Sequence, residues 1–219
     1  MDCGVVYKRP KEISYSIYEV RLMELNDLYW SMEVIPGVDI TDKGKRHPFQ
    51  RHFYMDIYDR LFSPLKDKPI KIFELGISRG ASIQLWSTFF KNGVVSGLDD
   101  KVPPRKDYLD TLPNVQLAYA NAYDEKVADK IIEHFPKQDI FIDDGLHDIE
   151  SQKFALKHYS KMVDKGGMYI IEDITPPEFQ KLLYCRSELH RRSLMEIYDY
   201  TQRDNAMADD IMLVLQFEE

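Results

Sequence analysis

The chain has 219 residues, a formal net charge of −8 and a pI near 5.3. That length suits one domain, or one domain with a small appendage, built on a full core, and the acidic surplus argues against a generic nucleic-acid surface. Cys3 and Cys185 form neither a zinc spacing nor a disulfide framework, and no apolar run nears the ~20 residues that cross a bilayer, so the expectation is a soluble, cytoplasmic protein without a membrane anchor.

The rhythm of the chain changes near residue 70. Before it, aromatic helices are expected at 15–33 and 49–62, the second with Phe53, Tyr54, Ile57, Tyr58, Leu61 and Phe62 at helical spacing on one face. The turn-rich segment between them, Ile35 to Lys45, reads as a loop. Beyond residue 70 the pattern predicts strands at 70–75, 94–99, 115–120, 139–143 and 167–172, with helices at 80–91, 125–135, 149–163 and 176–192. Strands at 194–200 and 210–217 close the set as an antiparallel edge hairpin. Strands alternating with helices of this length predict a mostly parallel sheet covered on both faces. Residues 1–66 would then form a helical extension on an α/β domain at 67–219.

Glu74-Leu-Gly76-Ile-Ser78-Arg-Gly80-Ala-Ser82 ends a strand and opens a helix, where an open α/β sheet binds nucleotide-like ligands. The Gly-x-x-x-Gly spacing lacks the dinucleotide fingerprint, which counts against NAD. The next strand ends at Asp99, placed to accept both hydroxyls of a ribose, and the one after it at Asn121, which could read an adenine edge. This arrangement resembles the class I S-adenosylmethionine-dependent methyltransferases, a Rossmann-like fold with seven strands. The resemblance implies S-adenosylmethionine on a loop containing Glu74, Gly76, Ser78, Gly80 and Ser82, with Asp99 as the ribose acid.

Phe141-Ile142-Asp143-Asp144-Gly145-Leu146-His147 ends one apolar run in two carboxylates and an imidazole, and Glu172-Asp173 ends the next. If the two runs are neighbouring strands, the acids converge on one rim with the glycine loop. Asp144, Glu172 and Asp173 supply hard oxygen ligands, suited to Mg²⁺ with Mn²⁺ or Ca²⁺ as alternatives, and poorly suited to zinc. A cation lowers the pKa of an alcohol that it binds, and a nearby histidine takes the proton. His147, with a near-neutral reference pKa, is the candidate base. The competing readings are local: Asp143 and Asp144 as caps of the helix that follows, Glu172-Asp173 as a polar strand end, and His147 as a hydrogen-bonded surface residue.

Asp144-Gly-Leu-His147 followed by Gly166-Gly-Met-Tyr-Ile-Ile-Glu172-Asp173 resembles the metal-dependent macrolide-sugar O-methyltransferases and the cephalosporin-hydroxylase-like proteins. Thr41-Asp42-Lys43-Gly44 with His47 resembles the same group's N-terminal motif. The resemblance implies O-methylation of a sugar-like small molecule, with Asp144, Glu172 and Asp173 on the metal, His147 and Asp144 catalytic, and Thr41, Lys43, Asn121 and Asp143 near the cofactor. A homo-oligomer is compatible with it. The chain departs from the group at Leu146, usually a small serine and expected at the pocket floor, at His47-Pro48-Phe49, and at Ile174-Thr175-Pro176-Pro177.

Other residues carry weaker alternatives. Trp86, Phe89 and Phe90 suit core packing better than adenine stacking. His52, with Lys43, Lys45, Arg46 and Arg51, suits a solvated face or the steering of a phosphorylated sugar, and Arg186, Arg191 and Arg192 a helix end or an acidic substrate group. The tyrosines between Tyr7 and Tyr29 suit a lid or a subunit contact. Rival functions are a catechol-type O-methyltransferase and a cofactor-binding module without catalysis.

Overall fold

The strands are β1 (Val5–Tyr7), β2 (Lys71–Leu75), β3 (Val94–Asp99), β4 (Val115–Tyr119), β5 (Gln138–Asp143), β6 (Val163–Ile171), β7 (Ser193–Asp199) and β8 (Ile211–Phe217). They form one sheet in the order β1-β7-β8-β6-β5-β2-β3-β4. The computed structural model describes residues 5–7, 24–32, 41–44, 52–185, 193–204 and 206–218. Strands β4, β3, β2, β5 and β6 run parallel, and β8 is antiparallel to both β6 and β7.

The seven strands expected from the sequence are all present, with β8 inserted between β6 and β7. The short β1 pairs parallel with β7 and makes an eighth, which three residues of apolar alternation could not announce. Strand β6 starts at Val163 rather than 167, because a register irregularity between Gln138 and Ile140 lets it pair early.

Helices α1 (Glu24–Ser31), α2 (Met55–Phe62), α3 (Ala81–Phe89) and α4 (Lys106–Leu109) precede α5 (Glu125–His134), α6 (Ile149–Tyr159) and α7 (Pro176–Cys185). The expected helix at 49–62 is shorter, with Tyr54 at its N-cap and residues 52–54 outside it. Of the expected helix at 15–33, the described part is α1. The single turn α4 was not foreseen.

Side chains alternate across the strands and sort the core into two layers. Ile72, Ile140, Ile142 and Ile170 face α1, α2 and α3, joining Leu25, Tyr29, Tyr58, Phe62 and Trp86. Phe73, Phe141 and Tyr169 face α5 and α6. These last three are direct neighbours in register across β2, β5 and β6, and their rings stack at centroid distances of 5.3 and 4.8 Å. Trp86, Phe89 and Phe90 are core residues, as the packing reading expected.

The turn from β2 into α3 sets the rim. Gly76 has φ +84°, and a Cβ there would lie 1.8 Å from the carbonyl oxygen of Asp144, so close approach of the two strand ends requires glycine. Gly76→Ala is expected to destabilise the protein by at least about 3 kcal/mol, read as a lower urea midpoint.

Candidate active site

Register and alternation together build the acidic site. Leu75, Asp143 and Ile171 are level with one another across β2, β5 and β6. The residues after Asp143 and Ile171 are Asp144 and Glu172, which fall on the same face as Glu74. Asp143 falls on the other face, beside Tyr169, whose hydroxyl donates to its Oδ2 at 3.4 Å. Its buried carboxyl is pushed up to about 8 by desolvation, so it is held protonated at neutral pH. Asp148, not Asp143 or Asp144, caps α6, accepting from the amides of Glu150 and Ser151 at 3.1 and 3.0 Å.

Lys43 fills the space between the three acids. Its side chain is buried, and its Nζ lies 3.2 Å from Glu74 Oε1 and 2.5 Å from Asp144 Oδ2, and also donates to Glu172 Oε2. Burial opposes the charge, but the carboxylates hold the ammonium well above its ordinary pKa. Asp144 is lowered to about 2, because Lys43 and His147 outweigh its burial. Burial pushes Glu74 up to about 7 against the pull of Lys43. Ser82 Oγ donates to Glu74 Oε2 at 2.7 Å, Tyr58 Oη to Glu172 Oε1 at 2.8 Å, and Gln152 Nε2 to the Glu172 carbonyl at 3.1 Å.

Asp173 lies beside this cluster because its backbone leaves the strand geometry at φ +55°. Such a conformation in a non-glycine residue costs of order 1 kcal/mol or more and needs support. Tyr54 supplies it: its hydroxyl accepts from the Asp173 amide at 3.2 Å and donates to Asp173 Oδ1 at 2.9 Å. His147 then bridges two acids, with Nε2 3.5 Å from Asp144 Oδ1 and Nδ1 3.3 Å from Asp173 Oδ2. Burial alone would lower its pKa, yet these carboxylates push it up to about 9.

His52 makes a matching bridge on the far side, with Nδ1 3.3 Å from Asp173 Oδ1 and 3.4 Å from Asp210 Oδ1. It is buried, so it belongs to neither a solvated face nor a phosphate-steering patch. Two sets of three possible ligands lie within 4.8 Å of one another among the described residues, Glu74 with Asp144 and Glu172, and Asp144 with His147 and Asp173. The expected trio of Asp144, Glu172 and Asp173 is split between them, with Asp144 common to both. Hard oxygens already gathered around an ammonium fit Mg²⁺, and the imidazole also admits Mn²⁺.

A cleft of about 780 Å³ opens in front of the acids. Gly76, Ser78, Ser82, Asp99, Asn121 and Thr41 line it, as do Asp144 and His147. Asp99 Oδ2 accepts the amides of Ile77 and Ser78 at 2.9 and 2.8 Å, and Oδ1 that of Lys101 at 2.9 Å. The loop amides are thus spent on a carboxylate and do not form an anion cradle. Asn121 Oδ1 is likewise engaged, by the Tyr123 amide at 3.0 Å. Glu74, Gly80, Asp143 and Lys43, expected near the cofactor, are not among the lining residues, and neither are the buried Glu172 and Asp173. Leu146, expected at the pocket floor, stands at the rim with 58% of its surface exposed.

No family model matches the chain. Among curated proteins it is 27% identical over 173 residues to the 8-demethyl-8-(2-methoxy-alpha-L-rhamnosyl)-tetracenomycin-C 3'-O-methyltransferase of Streptomyces olivaceus, covering 73% of this chain and 43% of that one. It is 28% identical over 130 residues to the mycinamicin VI 2''-O-methyltransferase of Micromonospora griseorubida, covering 56% and 32%. The MycE methyltransferase of the mycinamycin biosynthetic pathway, solved in complex with Mg, SAH and mycinamycin VI, superposes with a TM-score of 0.65 at 20% identity, over 91% of this chain and 55% of that one. The fold is that of the class I methyltransferases. The chain spans less than half the length of these curated relatives. No described helix is long and apolar enough to cross a membrane.

On this methyltransferase fold, sequence reading had missed Tyr54, Tyr58 and Asp210 as site residues and had placed His52 with a basic run rather than on Asp173 and Asp210. Tyr54 and Tyr58 were legible as hydroxyls four residues apart on an apolar helical stripe, although their partners lie more than a hundred residues away. His47, Lys45, Arg46 and Arg51 lie outside the described residues, as do Arg186, Arg191, Arg192, Cys3 and the tyrosines at 15 and 18. Tyr54→Phe, which takes the acceptor from the Asp173 amide and one donor from its carboxylate, is expected to cost about 1–3 kcal/mol in chemical denaturation.

Proposed function

We propose that this chain is the methyl-transferring part of an S-adenosylmethionine- and divalent-metal-dependent O-methyltransferase. Its acceptor is a hydroxyl of a sugar or of a glycosylated natural product. The observation that carries this reading is that Asp144 and His147 line the same cleft as the glycine loop, Asp99 and Asn121. A proton-moving pair and a nucleoside-holding set therefore face one ligand space. The acceptor class rests on the relatives, whose names describe O-methylation of a rhamnosyl tetracenomycin and of mycinamicin VI.

In this reading Asp99 holds the ribose hydroxyls, Asn121 meets the adenine edge, and Thr41, Gly76, Ser78 and Ser82 border the cofactor. Asp144 and Asp173, with Glu172 as the third carboxylate, would hold Mg²⁺ or a similar cation, which when bound lowers the pKa of an alcohol and fixes its direction. The rest of the chemistry is alignment and proton removal, since a sulfonium methyl is already electrophilic. His147 is the base. Asp144 and Asp173 push its pKa up to about 9, and a cation held by these carboxylates would weaken that push and leave the imidazole free to accept a proton. The setting we infer is cytoplasmic, as two isolated cysteines provide no disulfide framework.

The assay that tests this follows methyl transfer to free sugars, glycosylated macrolides and catechols, with Mg²⁺ or with chelator. Turnover confined to catechols, or undiminished by chelation, would overturn the reading. His147→Ala is expected to lower kcat by about 10²–10⁴-fold while calorimetry shows S-adenosylmethionine bound as in the wild type. Asp99→Asn is expected to weaken cofactor binding by roughly tenfold or more, since it removes the charge that faces the ribose and that also holds the amides of Ile77 and Ser78 in the glycine loop.

A further inference from the structure

Asp144 faces two cationic partners at once. Its Oδ2 is held by Lys43, and its Oδ1 looks toward His147. Lys43 is 1% exposed, and its backbone is fixed as well: its carbonyl accepts the amides of Tyr54 and Met55 at 3.1 Å each, and the Asp42 carbonyl accepts that of His52 at 2.9 Å. Thr41 and Asp42 line the cleft while Lys43 turns away from it. The ammonium of this lysine contacts Glu74, Asp144 and Glu172, and the residue does not line the cleft.

Those carboxylates form one of the two sets of possible metal ligands. We propose that Lys43 is the resident cation of the Glu74–Asp144–Glu172 set and competes with the divalent ion for Asp144 and Glu172. This rests on the metal-dependent reading above. Two buried carboxylates and a half-buried third without a counter-charge would destabilise the chain, and a tethered ammonium supplies that charge at high effective concentration when no metal is present. The ion then gains the shared carboxylates only as Lys43 loosens its hold. The lysine thus preserves the empty site and weakens metal binding at the same time.

The test is Mn²⁺ affinity, measured by electron paramagnetic resonance on the wild type, Lys43→Met, and the double variant Lys43→Met/Glu74→Gln. Measured at about pH 8, above the value of about 7 to which Glu74 is pushed, the double variant removes close to one charge of each sign, so the net charge of the cluster is nearly unchanged while Asp144 is released. Both variants are expected to bind Mn²⁺ roughly tenfold or more tightly than the wild type, within the usual range for coupled binding events. In chelator, Lys43→Met should melt below the wild type, and Mn²⁺ should raise its midpoint by more. Wild-type binding with no gain in the double variant would overturn the competition while leaving the metal site standing. No Mn²⁺ binding by any of the three proteins would overturn both. If Lys43→Met does not fold in chelator, the double variant alone decides the matter.

Discussion

One buried ammonium among three carboxylates, Glu74 and Glu172 buried and Asp144 half-buried at the cleft, organises the carboxyl rim of this sheet. Lys43 comes from the segment between β1 and β2, whereas Glu74, Asp144 and Glu172 come from β2 and from the ends of β5 and β6. The ion cluster therefore ties the N-terminal part of the chain to three neighbouring strands at once. Breaking such a buried arrangement by removing one partner typically costs about 3–5 kcal/mol, because a charge is left uncompensated. The apolar stripe of α2 makes the same attachment without charge, with Tyr58 and Phe62 packed on Trp86. Tyr58 serves both, as its hydroxyl reaches Glu172.

Strand alternation explains why adjacent acids have different fates. Asp143 and Asp144 are neighbours in sequence and opposites in environment: one is buried beside tyrosines on the α5 and α6 side, the other joins Lys43 and lines the cleft. Nothing in the Asp-Asp pair itself distinguishes them; the register with Leu75 and Ile171 does. Glu172 and Asp173 would have been separated in the same way. The left-handed backbone at Asp173, held by Tyr54, instead turns its carboxylate toward His147 and keeps both acids near one centre.

This division marks what the sequence could disclose. Strands that end in acids, a glycine turn into a helix, and an acid one strand later are local patterns, and they led to the mostly parallel sheet, to the shared rim of Asp144 and the glycine loop, and to Asp99 beside that loop. The same patterns could not show where Lys43 would go. It had been grouped with basic neighbours near the cofactor, and its partners lie 101 and 129 residues away. His52 and Asp210 are a similar case, since a histidine and an aspartate separated by most of the chain become a pair only once β8 is inserted beside β6. Side chains that meet across a sheet edge leave no periodicity to read.

The charge of the cleft argues for the kind of ligand it takes. Asp42, Asp99, Asp100 and Asp144 line it, against Arg79, Lys101 and His147. The glycine-loop amides, which in a dinucleotide site would face a pyrophosphate, are turned onto Asp99. A phosphate at this loop would meet a carboxylate where it needs donors. A neutral ribose meets an acceptor, and a sulfonium meets negative potential. Two exposed apolar side chains, Leu146 at 58% and Val102 at 56%, stand at the mouth, where a flat or apolar part of a ligand can cover them. Acidic walls with apolar lips suit a cationic ligand that carries a nucleoside better than a phosphate-bearing one.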